Sequence, residues 1–104
     1  MLSHYISQAL VAKNCTLIVN QQQQDSLSEV FIKTRLWQFA DGVVLLCTEE
    51  IEIAEFTCDS QCPERWIIWQ LVEENGLKIF PKRKEFFNIC QQNFWLKMKT
   101  QCRF

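Results

Sequence analysis

The chain has 104 residues, 48% of them hydrophobic, 12% aromatic and 22% charged, with a formal net charge of −1. A chain of that size predicts one domain, and so much apolar material with so little net charge excludes intrinsic disorder. Two Gly and two Pro exclude collagen-like and low-complexity chains, and the near-neutral total excludes strongly basic proteins that coat nucleic acid over their whole surface.

The opening residues, MLSHYISQALVAKNC, lack a positive leading region, and Ser3, His4, Ser7 and Gln8 interrupt their apolar residues. They are expected to be neither signal peptide nor membrane anchor. Ser3 suits a helix cap, Leu2, Ile6, Ala9 and Leu10 recur at helical spacing, and Asn14 suits the helix end. Cys15–Val19 is β-branched and apolar, which predicts a short buried strand. Residues 21–26, QQQQDS, carry no apolar side chain and read as a loop.

Residues 29–39 predict the first long strand, with Phe31, Lys33, Arg35, Trp37 and Phe39 on one face and Ile32, Thr34, Leu36 and Gln38 on the other. Asp41-Gly42 signals a two-residue hairpin turn. Val43–Cys47 is uninterruptedly apolar and predicts a buried central strand, far short of the roughly 20 residues that span a bilayer. Thr48-Glu49-Glu50 is expected to interrupt it. Ile51–Cys58 then reads as a third strand or a bent continuation, with Glu49, Glu50, Glu52 and Glu55 on a solvated face.

Pro63 suits the first position of a helix carrying Trp66, Ile67, Ile68, Trp69, Leu71 and Val72, which Asn75-Gly76 would close with a left-handed cap. Leu77–Phe80 is an edge strand or a plain connection. Pro81 then opens a last helix whose stripe is Phe87, Cys90, Phe94 and Met98, widened by Phe86, Ile89 and Trp95. The expected fold class is therefore α+β: a small antiparallel sheet of three to four strands, packed by one N-terminal and two C-terminal helices in α-β-β-β-α-α order. Residues 1–104 form a single domain in this reading.

Six cysteines, Cys15, Cys47, Cys58, Cys62, Cys90 and Cys102, raise the question of disulfides or metal. Without a secretory signal they are expected to be reduced, with Cys15, Cys47 and Cys90 serving as small core hydrophobes. Only Cys58 and Cys62 are closely spaced, and a zinc site ordinarily needs a second close pair. No metal and no cofactor are expected. One His, no glycine-rich phosphate loop and no nucleophile motif argue against catalysis.

The net charge conceals a strong segregation. Residues 41–74 hold nine acidic side chains against Arg65, residues 75–104 hold seven basic ones against Glu85, and residues 1–40 carry +1. Lys82-Arg83-Lys84, placed in the first turn of the last helix, would stand at the positive end of its dipole. Such placement calls for a compensating anion, either Glu73 and Glu74 or an external acidic group. Trp37 is a candidate interface anchor, although its face better suits cover by the C-terminal helix.

The sequence thus predicts a small cytoplasmic macromolecule-binding module, a regulator, adaptor or inhibitor of a size that also suits phage or viral proteins. It would contact another protein through Trp37, Glu49, Glu50, Glu52, Glu55, Lys82, Arg83 and Lys84, without a membrane. Thirteen aromatic residues point to a homodimer that buries the excess. The alternative is nucleic-acid binding by the basic C-terminal helix, where Phe94, Trp95, Lys97 and Lys99 interleave aromatic and basic side chains.

Overall fold

A computed structural model of the chain describes residues 2–25, 30–52 and 65–101. Its elements run α1 (Leu2–Leu10), β1 (Cys15–Asp25), β2 (Val30–Phe39), β3 (Val44–Glu52), β4 (Arg65–Glu73), β5 (Arg83–Phe86) and α2 (Ile89–Gln101). The five strands form one antiparallel meander in the order β1-β2-β3-β4-β5. The α+β class holds, with five strands among the described residues in place of three or four and one C-terminal helix among them in place of two.

The first helix forms as its spacing dictates. Leu2, Ile6 and Ala9 are buried on one side and join the core, while Leu10 stays exposed. Its end is a Schellman motif: Lys13 N–H donates to Gln8 C=O at 2.9 Å and Ala12 N–H to Ala9 C=O at 3.2 Å. Ala12, at φ 55°, takes the left-handed position usually given to glycine.

The polar run Gln21–Gln24, expected as a loop, extends β1 to Asp25 instead and pairs with Phe31–Thr34 of β2. Its side chains are exposed, so backbone hydrogen bonding, and not burial, holds this part of the strand. The β2–β3 connection is a three-residue loop and not a two-residue one. Gly42 N–H donates to Phe39 C=O at 3.0 Å, Phe39 N–H donates to Val43 C=O at 2.8 Å, and Gly42 sits at φ +90°. A Cβ at Gly42 would stand 2.5 Å from Asn75 Nδ2, so both backbone angle and neighbour require glycine.

Two elements differ in kind from the sequence expectation. Residues 65–73 are a strand, not a helix. Ile67 and Trp69 are fully buried, whereas Trp66 and Val72 are 45% and 58% exposed, which is two-fold alternation. A nine-residue segment rich in Ile, Val and Trp fits a pleated surface better than a helix, and its apolar run has no period that separates the two. Asn75 and Gly76 do have positive φ, 53° and 78°, but they turn the chain after β4, closed by Leu77 N–H to Glu74 C=O at 3.1 Å.

The second difference is Pro81, which begins no helix. The chain runs from there into β5, whose Glu85 and Phe86 face Ile68 and Ile67 of β4. The helix starts eight residues later. Asn88 caps it, accepting Gln91 N–H at 2.7 Å on Oδ1, while Gln91 Oε1 accepts Phe87 N–H at 2.7 Å.

Both helices pack on the same side of the sheet. Leu2, Ile6 and Ala9 of α1 cluster with Trp37, Phe39, Val43, Leu45, Cys47, Ile67, Trp69, Ile79 and Phe86. Trp37 and Trp69 stack at its centre with ring centroids 5.4 Å apart. From α2, Gln92 is 2% exposed and Trp95 packs on Phe86 at 5.5 Å between centroids.

The cysteines divide. Cys15 is free and half-buried, and Cys47 is free and fully buried, as small core hydrophobes. Cys90 is exposed and disulfide-bonded, contrary to the reduced core role expected of it. The Cys58/Cys62 pair lies outside the described residues.

Candidate protein-interaction surface

The inner face of β3 carries Leu45, Cys47, Glu49 and Ile51, all buried, because these alternate residues point toward the helices. Glu49 is therefore not part of a solvated face. Its carboxylate accepts from Arg35 Nη2 on one oxygen and from Arg65 Nη1, at 3.1 Å, on the other, with its side chain 7% exposed. Arg35 also lays its guanidinium 5.1 Å over the Trp37 ring and donates to Cys47 Sγ at 3.9 Å. Burial, reinforced by the Glu49 charge, pushes the Cys47 thiol up to about 12.

This arrangement gives several predicted contact residues structural positions. Trp37 is 4% exposed, belongs to the core and stacks on Trp69, so it offers no surface to a partner. Glu49 is engaged by two arginines. Glu50 is exposed on the opposite face, Glu52 ends β3 opposite Val30, and Glu55 lies outside the described residues.

Lys82, Arg83 and Lys84 stand beside or on β5, not on a helix, so no helix dipole acts on them. Lys82 Nζ pairs with Glu74 at 2.5 Å and lies 5.3 Å over the Phe80 ring. Arg83 pairs with its strand neighbour Glu85 at 3.2 Å. Lys84 points to the helix side, opposite Trp69 in register, with Nζ 5.7 Å from the Phe86 ring and 5.6 Å from that of Trp95. Lys99 approaches the same Trp95 ring at 6.0 Å.

Of the three, Lys84 lines a cleft between β5 and α2, of about 220 Å³, together with Glu85, Phe86, Gln91, Phe94, Trp95 and Met98, whereas Lys82 and Arg83 do not. Phe94 is 65% exposed and Met98 44% exposed on its rim. The volume lies below the roughly 300–1,000 Å³ of small-ligand pockets and suits one or two apolar side chains. Lys84 in its lining and Lys99 over the Trp95 ring outnumber the one acidic lining residue, Glu85. The sequence marks Phe94 and Met98 as core because they fall on the helical stripe. They are exposed because the helix begins at Ile89, and Gln92 occupies the buried position on the sheet.

A second cleft, of about 200 Å³, is bounded by His4, Tyr5, Gln8, Asn14, Phe39, Ala40 and Asp41. Its polar groups are occupied with one another. Tyr5 donates to Asp41 Oδ2 at 2.7 Å, Asp41 Oδ1 accepts Val43 N–H at 3.1 Å, and His4 Nε2 is 3.0 Å from Gln8 Nε2. Burial, then the Asp41 hydrogen bond and charge, push the Tyr5 phenol up to about 12, which keeps it a hydrogen-bond donor and not a base.

No protein-family model matches the chain, and no curated protein and no solved structure matches it either.

Proposed function

We propose that the protein is a small binding module that engages another protein, without catalysis, by seating apolar side chains of an acidic segment in the β5–α2 cleft. The observation that carries this reading is the exposed Phe94 and Met98 on the rim of a cleft that Lys84 also lines, with Lys84 and Lys99 over the Trp95 ring. Exposed aromatic and Met side chains at a cleft supply affinity, and the surrounding lysines supply orientation and encounter rate. The cleft borders β5, the last strand of the sheet, so an extended partner segment has a strand edge to lie against.

Nucleic-acid binding ranks second. Base stacking needs an open ring face, and Lys84 and Lys99 both stand over Trp95. The cytoplasm expected from the sequence is a reducing compartment, and the Cys90 disulfide favours an oxidising one. Among the described residues no helix is long and apolar enough to cross a membrane.

Selection from a displayed random peptide library tests the reading. It predicts recovered sequences with Asp or Glu flanking Phe, Leu or Trp, whose binding weakens about tenfold in Lys84→Ala and Phe94→Ala and falls as salt rises. Basic consensus sequences, binding indifferent to both substitutions, or tighter binding of a single-stranded oligonucleotide would reject it.

A further inference from the structure

The side of the sheet that faces the helices changes chemistry along its length. At one end it holds the packed core around Trp37 and Trp69. Toward the other end the register sets Arg35 beside Asn20, and Lys33 between Gln22 of β1 and Glu49 of β3. Residues directly opposite one another in an antiparallel pair project to the same face, so these side chains share the face of Trp37. Arg65, opposite Ile51, joins them from β4. Asn20 and Gln22 are exposed, Lys33 is half-buried, and the Arg35 and Arg65 side chains are 21% and 26% exposed. Solvent therefore reaches a surface rich in N–H donors.

The charges on that surface do not balance. Among the described strand residues, Glu49 is the one acid that the register places on this face, and at this end it stands against Lys33, Arg35 and Arg65. The two guanidinium groups converge on its carboxylate, each through one nitrogen, Arg35 Nη2 and Arg65 Nη1. Arg35 Nη2 also reaches Cys47 Sγ, and Arg35 Nε is buried with no hydrogen-bond partner. Lys33 forms no ion pair among the described residues, although it is directly opposite Glu49. Three positive charges around one negative leave a surplus of two, and donors outnumber acceptors. A carboxylate ligand answers half of that surplus. Inorganic phosphate or a phosphate monoester carries about −1.5 to −2 near neutral pH and at least three strong acceptor oxygens, which matches both the charge and the donors.

We infer that this cluster binds a dianionic phosphate group, held by Lys33, Arg35 and Arg65 and supported at its edge by Asn20 and Gln22. Glu49 orients the two guanidinium groups toward each other and leaves most of their donors for the ligand. The site is separate from the β5–α2 cleft, whose lining includes none of these residues. Its ligand is a small phosphate, free or esterified.

Calorimetric titration with inorganic phosphate and with O-phosphoserine, at constant ionic strength, tests the assignment. Binding with a Kd of about 1 mM or tighter is expected, and the tighter ligand tells free from esterified phosphate. Acetate and dimethyl phosphate, each with a single negative charge, are expected to bind at least about fivefold more weakly. Lys33→Gln removes a charge that has no ion pair, so it is expected to weaken phosphate about tenfold and to leave thermal unfolding in phosphate-free buffer unchanged. Arg35→Lys keeps the charge and loses the planar fork, and about a fivefold loss is expected. No binding of either phosphate at about 10 mM overturns the inference. So does acetate binding as tightly as phosphate, which would mark a nonspecific ion site. Phosphate binding that both substitutions leave intact, which would move the site to the Lys82–Lys84 run, overturns it too.

Discussion

Trp69 donates its indole N–H to Gln92 Oε1 at 2.8 Å inside the core, joining β4 to α2 through two side chains that are 0% and 2% exposed. This bond sets the rotation of α2 on the sheet. With Gln92 turned inward, Phe94 and Met98 turn to the rim of the cleft. Gln92→Ala removes the acceptor, strands a buried N–H and opens a cavity, so a loss of about 2–3 kcal/mol is expected by denaturant titration. Trp69→Phe removes the donor and leaves the Gln92 amide buried, and it should lose a similar amount. The double variant is expected to cost less than the sum of the singles, because the two share one interaction.

Glu49 is the second buried polar junction. Its two oxygens are divided between Arg35 and Arg65, so one carboxylate links β2, β3 and β4. Glu49→Gln leaves two guanidinium groups without their anion. Both arginines retain some solvent, with side chains 21% and 26% exposed, which moderates the penalty. A loss of about 2–4 kcal/mol is expected, read as a lowered urea midpoint with an unchanged slope. Glu50→Gln, on the exposed opposite face, is expected to change stability by less than about 0.5 kcal/mol.

Ala12 holds a left-handed angle that a Cβ disfavours by about 1–2 kcal/mol. Glycine removes that strain and adds freedom to the unfolded chain, leaving a net gain of about 0.5–1 kcal/mol. Ala12→Gly is therefore expected to raise Tm by roughly 2–8 °C in calorimetry, without altering peptide binding at the distant cleft.

Alkaline pH should weaken the fold through Tyr5 and Cys47. The Tyr5 phenol, pushed from 10 to about 12, and the Cys47 thiol, pushed from 9 to about 12, both resist ionisation when folded. Below about pH 8 both groups are essentially neutral in either state and contribute little pH dependence. Between pH 9 and 12 the unfolded chain loses these protons first, the folded chain binds more protons, and stability falls. Tyr5→Phe is expected to flatten the part of that decline above pH 10 relative to the parent protein. Thiol labelling gives an independent check at pH 8. Cys47 should resist alkylation until denaturant is added, and Cys90 should resist it until reductant is added.

Where local chemistry is decisive, the sequence and the structure agree. The helical stripe of α1, the inward set Phe31, Lys33, Arg35, Trp37 and Phe39 of β2, the place of the Gly42 turn, though not its length, and the central place of β3 all follow from spacing and glycine chemistry. Elements decided by pairing do not show in the same way. Gln21–Gln24 becomes a strand because β2 offers a ladder, and side-chain polarity carries no record of that. Residues 66–69 are apolar on both faces, so period cannot separate strand from helix, and reading them as a helix also displaces the next helix to Pro81. The Asn88 and Gln91 capping pair is a readable signal for the true start of α2, and it moves the basic run onto β5. Only then do Lys84, Phe94 and Met98 meet in one cleft. The buried roles of Trp37 and Glu49 depend on Trp69 and Arg65, more than fifteen residues away in sequence.

The β5–α2 cleft is the proposed seat of an acidic partner segment. Amide chemical-shift mapping of the ¹⁵N-labelled protein, titrated with an acidic peptide bearing a central Phe, tests that most directly. The expected result is perturbation concentrated in Arg83–Phe86 and at Gln91, Phe94, Trp95 and Met98, diminishing as salt is raised. Perturbation centred on the His4–Asp41 cleft or on the face carrying Glu50, or none at millimolar peptide, would contradict it.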